Sequence, residues 1–580
     1  MSLPGLDLTQ PSGEKEFVPA PPTQITVGKG SEWRFEVAFG TVVRVKLLTG
    51  TAELFGTELA PSQTYTFTGT KAAIYTWHGC MLEVSAGESY ATPDSLAPGG
   101  NNSSSNNSNS NSNEPPTTGG GGGGGRGLGA GGCQSEYTAE ETPMVEYANV
   151  HFALETMRRQ AKAQGRDGPR VLILGSEDAG KTSLAKILTA YATKVGRQPV
   201  VVNLDPTEGM LSVPGTLTAT AFRTMIDVEE GWGSSPMSGP SAVPVKVPLV
   251  YFYPMASPLE AEGSVYKAIV SRLAVSVMGR MAEDEDVRET GIIVDTPGIL
   301  SQSKAGNVDL IKHIVTEFAI TTILVIGSER LYSSMMKEFD NKPTASASAV
   351  ASDERISVIK LSKSGGCVDR DAAFMKAVRE SQIRTYFFGD QIPSAASGAL
   401  PLLAASSKNV TLSPHAQQLD LSTLSIYNYT IATPEEDEDE YDPASFGTDS
   451  FLPGGGNEAG SNHNQQQQED SSATSVLPGF GSAPSSATAE TGGGANVPLK
   501  KLLPPAPTGL ANSLLAITHA PTTASAADVR DASIMGFLYV ADVNNERGKI
   551  QVLAPVGGRV PPRALVWGKK WPGEVVGLVG

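Results

Sequence analysis

The chain contains little cysteine and no long apolar segment. Its three cysteines, Cys80, Cys133 and Cys367, lie far apart and form no C-x-x-C pair. Neither a disulfide framework nor a zinc site is therefore expected, and a reducing compartment fits. No apolar run reaches the roughly 18 residues that cross a bilayer. The first residues, MSLPGLDLTQ, lack the basic and apolar regions of a signal peptide. These absences argue against a secreted or membrane protein.

Positive charge is also scarce. Lys and Arg number 44 against 61 Asp and Glu, which gives a net charge of −17. A protein that coats nucleic acid without sequence preference needs a basic surface. We therefore expect any contact with RNA to be local or indirect.

Low-complexity tracts divide the chain. Residues 97–132 are almost entirely Asn, Ser, Gly and Pro, and residues 434–498 contain an acidic run followed by NQQQQED. Such tracts cannot bury enough apolar surface to offset the entropy lost on ordering. The composition predicts a flexible amino terminus (1–29), a disordered linker (96–138) and a disordered insertion (434–498). Two Ala- and Ser-rich stretches, 341–352 and 518–528, are predicted to be surface insertions.

Three ordered blocks remain, and their patterns predict an α/β protein. Residues 30–95 consist of short alternating runs punctuated by glycine, which favour a small antiparallel β-sandwich or barrel. Residues 139–395 contain continuous apolar runs between helical segments, such as RVLILG, PVVVNLD, PLVYFY, GIIVD and TTILVIG. Runs of this kind are typical of a parallel sheet covered by helices on both faces. Residues 396–580 are predicted to form a β-containing carboxyl-terminal domain interrupted by the 434–498 insertion.

The strongest functional motif is GSEDAGKT at residues 175–182, which matches G-x-x-x-x-G-K-[ST]. It follows the apolar strand Val171–Leu174 and precedes a helical pattern, as this motif requires. Glycine lets backbone N–H groups face phosphates, and the helix amino terminus adds positive potential. Lys181 is expected to reach the β- and γ-phosphates, and Thr182 to hold Mg²⁺. The motif predicts a central P-loop nucleotide-binding domain.

Two carboxylates follow apolar strands of this domain. Asp205 comes after Val200–Leu204, and Asp295 comes after Gly291–Val294. Strand carboxyl ends face the ligand crevice of an open α/β sheet. One carboxylate can therefore position Mg²⁺ while the other takes a proton from an attacking hydroxyl. Each can instead be a helix N-cap, because both precede turns that could start a helix.

One interpretation of the motifs is a GTPase. Residues 295–298 match D-x-x-G, and residues 341–344 resemble the guanine-reading N-K-x-D. The fourth position of the second motif fails, because Thr344 carries a single hydroxyl where a carboxylate must accept from two guanine N–H groups. Guanine specificity is therefore unsupported, and a GTPase switch stays the weaker alternative.

A longer series of segments indicates a family. SEWRFEV, LLTGTAELFGTEL, YTWHGC, the P-loop, VNLDPTEGMLSVPGT, PLVYFYP, ERLYSSMMKEF, LSKSGGCVDRDAAF and IRTYFFGD follow one another in this order. Together they resemble the Clp family of polyribonucleotide 5′-hydroxyl kinases, whose fungal members are the ATP-binding subunit of mRNA cleavage factor IA. The resemblance covers the ordered blocks between residues 30 and 580 and skips the low-complexity tracts.

This resemblance implies three domains, with ATP between the first two. It implies that Glu32 and Lys71 contact the nucleoside side of ATP, although alone they would be taken for ordinary surface charges. It also implies phosphate contacts from the P-loop, at Asp178, Ala179, Gly180, Lys181, Thr182 and Ser183. Thr182 and Asp295 would hold Mg²⁺. Asp205 and Arg370 match the catalytic base and the first lid arginine of active relatives.

Three positions depart from the pattern of active kinases. Glu208 stands where they have Gln, Ile299 where they have a base-stacking Trp, and Met375 where they have a second lid arginine. Losing the stacking costs about 1–3 kcal/mol, and an arginine on the transferring phosphoryl group is worth roughly 10³–10⁵ in rate. These departures predict a site that holds ATP and transfers phosphate poorly.

The resemblance and the departures together predict an ATP-bound scaffold subunit of the nuclear pre-mRNA cleavage complex. It would act in cleavage and in polyadenylation-dependent mRNA 3′-end formation. Its expected partners are the largest cleavage-factor subunit, which reads the RNA polymerase II tail, and other subunits of the machinery. An active 5′-hydroxyl RNA kinase is the alternative, so the sequence leaves open whether the protein is an enzyme.

Overall fold

The computed structural model describes residues 21–87, 129–232, 248–302, 305–345, 354–389, 412–430, 499–507, 509–576 and 578. The predicted insertion 434–498 lies outside these residues, as do residues 1–20 of the predicted flexible terminus, residues 96–128 of the predicted linker and residues 88–95 at the end of the predicted β domain. Within the described ranges, no helix is both long and apolar enough to cross a bilayer.

The amino-terminal domain is a sandwich of two antiparallel sheets, as the alternating pattern predicts. One sheet has the order β1-β8-β3-β6 and the other β5-β4-β7-β2-β9. Its core includes the fully buried Trp33, Phe35 and Leu82. The strands are β1 (Thr23–Val27), β2 (Glu32–Val37), β3 (Val43–Gly50), β4 (Glu53–Leu54), β5 (Thr57–Glu58), β6 (Thr64–Phe67), β7 (Thr70–Tyr75), β8 (Cys80–Ala86) and β9 (Ser135–Ala139).

Strands β1 and β9 lie inside segments predicted to be flexible or disordered, so the structure corrects those boundaries. β1 pairs with β8, and β9 pairs with the free edge of β2. The polar sequence SEYTA gives no apolar signal of its own. Its Glu136 carboxylate accepts from the Trp33 indole at 2.7 Å and from the Ala130 N–H at 2.8 Å. Partners distant in sequence therefore order this segment.

The central domain is a seven-stranded sheet in the order β13-β12-β11-β14-β10-β15-β16. Helices α1 and α2 lie in the cluster on one side, and α3 and α5 in the cluster on the other. The strands are β10 (Arg170–Gly175), β11 (Val200–Asn203), β12 (Thr216–Ala221), β13 (Leu249–Phe252), β14 (Ile292–Asp295), β15 (Thr322–Ile326) and β16 (Ser357–Leu361). The helices are α1 (Met144–Gln164), α2 (Lys181–Lys194), α3 (Ser264–Glu283), α4 (Glu285–Thr290), α5 (Ala305–Glu317), α6 (Glu329–Phe339) and α7 (Ala372–Phe388).

This sheet is mixed, where the sequence predicts a parallel one. β12 runs antiparallel to both of its neighbours, β11 and β13. A parallel return needs a long crossover, and only a short helix-free segment joins β11 to β12. β12 has the sequence TLTATA, which carries no continuous apolar run, so its sequence alone does not indicate a strand.

The carboxyl-terminal domain is a second seven-stranded sheet, in the order β17-β22-β21-β20-β23-β18-β19. Strands from both sides of the 434–498 tract share it. The predicted insertion 518–528 is wrong, because Thr518–Pro521 ends a strand and Ser525 caps helix α8 by accepting from the Asp528 N–H. The elements are β17 (His415–Asp420), β18 (Ser425–Tyr429), β19 (Leu499–Lys501), β20 (Ser513–Pro521), α8 (Ala526–Asp531), β21 (Ile534–Asn544), β22 (Lys549–Ala554) and β23 (Arg563–Trp567).

The central and carboxyl-terminal domains share one hydrophobic core. The ring centroids of Phe252 and Phe537 are 5.4 Å apart, and the Phe537 N–H donates to the Tyr386 hydroxyl oxygen at 3.0 Å. These contacts fix helix α7 against the carboxyl-terminal sheet, which positions one wall of the site.

Candidate nucleotide-binding site

The P-loop lies between the end of β10 and the start of α2. Gly180 has a left-handed backbone with φ 89°, and a Cβ there would lie 2.8 Å from the Cys367 sulfur. Both facts explain why this position takes glycine. The Lys181 Nζ is nearly buried and donates to the Ser176 carbonyl at 2.7 Å. Lys181 therefore spans its own loop at the amino terminus of α2, where phosphate is favoured.

A single cavity of about 570 Å³ runs along this loop. The amino-terminal sandwich, the central domain and the carboxyl-terminal domain all contribute walls. Five of the six residues predicted to contact phosphate line this cavity, namely Asp178, Gly180, Lys181, Thr182 and Ser183. The sixth, Ala179, is buried in the adjoining core.

Thr182 and Asp295 meet at the ends of neighbouring elements. The Thr182 hydroxyl donates to the Asp295 Oδ2 at 2.6 Å. Burial raises the pKa of Asp295 to about 6, against the opposing effects of the Lys181 charge and the Thr182 hydroxyl. A hydroxyl and a carboxylate are ligands that Mg²⁺ accepts, with phosphates and water supplying the rest. The described residues contain no group of three or more His, Cys, Asp or Glu able to hold a metal.

Asp205 lies next to this pair. It follows β11, whose Asn203 is in register with Asp295 on β14. Its Oδ1 accepts from the Thr207 N–H at 2.9 Å and from the Thr207 hydroxyl at 2.6 Å. Burial raises the pKa of Asp205, and the nearby Glu208 adds to the effect. The structure thus places Asp205 in the wall of the cavity and Asp295 directly behind Thr182, which lines it.

Glu32 and Lys71 lie at the cavity wall formed by the amino-terminal sandwich. The Glu32 carboxylate is buried, and its Oε1 is 2.5 Å from Nη2 of Arg34. Burial raises the pKa of Glu32, while the Arg34 guanidinium lowers it. The Lys71 Nζ is 3.2 Å from the Glu36 carboxylate and 5.1 Å from the centre of the Phe374 ring. Both predicted nucleoside contacts therefore face the cavity, each already beside a protein partner.

Arg370 is held by two carboxylates. Its Nε donates to Asp178 Oδ1 at 2.6 Å, and its backbone N–H donates to Asp178 Oδ2 at 2.9 Å. Its Nη2 is also 2.6 Å from the Glu208 Oε1. Burial lowers the pKa of Arg370, but the Glu208 and Asp178 charges outweigh it and raise the pKa. The predicted lid arginine is thus at the P-loop, and it is engaged by protein groups.

Sequence reasoning missed several side chains of this site. Arg34 anchors Glu32, and Tyr147 of α1 and Cys367 line the cavity. Trp571, from the carboxyl-terminal domain, donates its indole N–H to the Pro206 carbonyl at 2.8 Å. The Arg379 guanidinium lies 4.9 Å from the centre of the Trp571 ring. The only sequence signal for Trp571 was the basic and aromatic segment KKWPG that contains it.

The segment that resembles a guanine reader lies at the opposite end of the sheet. The Thr344 hydroxyl donates to the Ala319 carbonyl at 2.9 Å, and the Asn341 N–H donates to the Ile356 carbonyl at 2.9 Å. These partners precede β15 and β16, at the amino ends of the strands. The P-loop follows the carboxyl end of β10, so residues 341–344 cannot read a base bound there.

Three family models match the chain. Residues 26–111 and 126–161 match the N-terminal beta-sandwich domain of polyadenylation factor. Residues 175–389 match the mRNA cleavage and polyadenylation factor CLP1 P-loop. Residues 412–573 match the pre-mRNA cleavage complex II protein Clp1. The matches follow the order of the three structural domains.

Curated relatives and solved structures agree with these models. The chain is 76% identical to mRNA cleavage and polyadenylation factor clp1 of Aspergillus oryzae and 71% identical to that of Emericella nidulans, with all of each chain covered. Two solved structures of Clp1p with Pcf11p, one described together with ATP loss in a point mutant, share the fold at a TM-score of 0.65 and 24% identity. They cover 94% of this chain and 97% of their own. This chain belongs to the Clp1 family of mRNA cleavage and polyadenylation factors.

Proposed function

We propose that the protein is an ATP-binding scaffold subunit of the nuclear pre-mRNA cleavage complex, acting in cleavage and polyadenylation at mRNA 3′ ends. The observation that carries this proposal is a contrast at one cavity between the groups suited to binding a nucleotide and the group suited to transferring phosphate. The groups that would hold a nucleotide, Lys181 and Thr182 with Asp295, are together. The group expected to aid phosphoryl transfer, Arg370, is bound between Asp178 and Glu208.

The residues present fit MgATP. Lys181 would hold the β- and γ-phosphates, and Thr182 with Asp295 would hold Mg²⁺, which neutralises phosphate charge. Glu32 and Lys71 would face the nucleoside from the amino-terminal sandwich. The GTPase alternative receives no support, because residues 341–344 bond to the far end of the sheet.

The scaffold role follows from where the cavity lies. Its walls come from the amino-terminal sandwich, the P-loop, and the loop after β16 with helix α7, so a ligand there would contact separate parts of the chain. A ligand that binds only the folded arrangement stabilises it by about 4 kcal/mol at a thousandfold above its dissociation constant. ATP held without turnover would thereby fix a surface for protein partners.

The proposed partner is the cleavage-factor subunit that reads the RNA polymerase II tail. The support is that a protein of the same fold, Clp1p, has been solved in complex with Pcf11p. Nuclear residence follows from this role in mRNA processing.

A thermal unfolding experiment tests nucleotide choice. We expect MgATP to raise the unfolding temperature of protein freed of nucleotide, with a dependence on ATP concentration that follows mass action. MgGTP should give a much smaller shift, because the described site holds no guanine reader. An equal shift with GTP, or none with ATP, would contradict the proposal.

A 5′-hydroxyl RNA kinase is the second candidate. Asp205 favours it, because a buried carboxylate with a raised pKa at the phosphate end of the cavity can act as a general base. Against it stand Ile299 and Met375, which line the cavity at the positions where active relatives have Trp and Arg. Labelled phosphate on the 5′ end of an RNA would support this candidate.

A further inference from the structure

Arg370 connects three segments that are distant in sequence. It belongs to the lid segment, defined as residues 362–388, which comprises the loop after β16 and helix α7. Its partners are Asp178 in the P-loop and Glu208 in the phosphate-side loop, defined as residues 205–209. The three side chains are 15% to 30% exposed, so solvent screens these charge-assisted bonds only in part.

A second contact joins the lid segment to the phosphate-side loop. The Gln382 side chain donates to the Gly209 carbonyl at 2.8 Å and accepts from the Gly209 N–H at 3.0 Å. The loop is anchored from the other side by Trp571, whose indole N–H bonds the Pro206 carbonyl at 2.8 Å. The phosphate-side loop is therefore a fixed base for the lid segment, independent of any ligand.

We propose that Glu208 is a positioning residue that holds the lid segment against the P-loop through Arg370 and so slows the release of a bound nucleotide. This proposal rests on the proposed binding of ATP. The lid residues Arg370, Met375 and Arg379 wall the cavity that Lys181 faces. A nucleotide on the P-loop would leave when the lid segment moves, and that movement breaks the Arg370 bond to Glu208.

Charge alone predicts the opposite sign. A carboxylate beside a triphosphate site repels the ligand, so removing only its charge should retain nucleotide longer. If Glu208 instead holds the lid segment closed, changing Glu208 should make the nucleotide leave faster. The direction of the effect therefore separates the two roles.

The test is Glu208→Gln in the full-length protein, with two readouts. The first is displacement of the N-methylanthraniloyl derivative of ATP by excess ATP, and the second is amide hydrogen exchange in residues 370–388 without nucleotide. We expect about tenfold faster release, because the Gln amide oxygen accepts from Arg370 without the charge that strengthens the carboxylate's bond, and faster exchange. Glu380→Gln is the matched control, because Glu380 lies on the same helix and its carboxylate is 3.7 Å from Lys376. It should leave the release of the ATP derivative unchanged.

A double-mutant cycle tests whether Glu208 acts through Arg370. In an Arg370→Gln background, Glu208→Gln should add nothing to either readout, whereas an independent charge effect would persist. Glu208→Asp, which keeps the charge on a shorter side chain, should give an intermediate rate if the amide variant folds poorly.

Unchanged exchange in residues 370–388, or slower release by Glu208→Gln, would overturn the proposal. The exchange measurement does not need bound nucleotide. If the unmodified protein binds no ATP analogue while Glu208→Gln still accelerates exchange, the role of Glu208 in holding the lid segment stands and the proposed function fails.

Discussion

Replacing Lys181 by alanine is expected to weaken ATP binding by about a hundredfold or more. The Lys181 side chain is nearly buried at the amino terminus of α2 and faces the cavity. Truncating one partner of a buried hydrogen-bonded charge pair costs roughly 2–5 kcal/mol, and each 1.4 kcal/mol is tenfold in affinity. Because bound ATP would stabilise the closed arrangement of domains, assembly with the cleavage-factor partner should weaken as well.

Equilibrium binding of a fluorescent ATP analogue and co-purification with the partner measure these effects. Lys194→Ala is the matched control, since Lys194 ends the same helix, is 49% exposed and pairs with Glu58 rather than the cavity. It should bind ATP normally. A Lys181→Ala protein that still co-purifies with a full complement of ATP would refute the assignment of Lys181.

The second large effect concerns Asp295 and pH. Burial raises the pKa of Asp295 to about 6, and Mg²⁺ needs the ionised carboxylate. As the pH falls below about 6, the proton occupies the group that Mg²⁺ requires. Below about pH 6, the Mg²⁺ enhancement of ATP affinity should therefore fall by about tenfold per pH unit. Above about pH 7, the enhancement should have its full value.

Titrations of ATP with and without Mg²⁺ between pH 5 and pH 8 measure this dependence. Asp295→Asn should abolish both the Mg²⁺ enhancement and its pH dependence, while leaving Mg²⁺-free binding in place. Asp284→Asn, which changes a carboxylate that caps α4 outside the cavity, is the control. A pH dependence that survives in Asp295→Asn would assign the titration to another group.

Local and periodic features were predictable from the sequence. The P-loop is recognisable in the sequence because glycine, lysine and a hydroxyl are all required within one short turn between a strand and a helix. The central sheet was predictable because its buried strands are continuous apolar runs. The amino-terminal sandwich was predictable because its strands alternate and its turns contain glycine.

What could not be predicted depends on partners distant in sequence. β9 is ordered by Trp33 and by the edge of β2, and nothing in SEYTA carries that information. β12 is polar and threonine-rich, yet it lies in the sheet because β11 and β13 flank it.

The ion pairs of Arg370 also depend on partners distant in sequence. Nothing in the sequence pairs Asp178 or Glu208 with Arg370, and only the tertiary fold brings them within ion-pair distance. Glu208 stands where active kinases have Gln, and in the structure its carboxylate is engaged by Arg370. Trp571 reaches the site from a different domain, which a motif confined to the P-loop domain cannot anticipate.

The most direct test of the account is to denature the purified protein, identify the released nucleotide by chromatography, and assay the same preparation for phosphorylation of a 5′-hydroxyl RNA. The account predicts ATP in near-stoichiometric amount and no labelled RNA. Labelled RNA with ADP as the released nucleotide would contradict it, and would mean that Ile299, Met375 and the bound Arg370 do not prevent phosphoryl transfer.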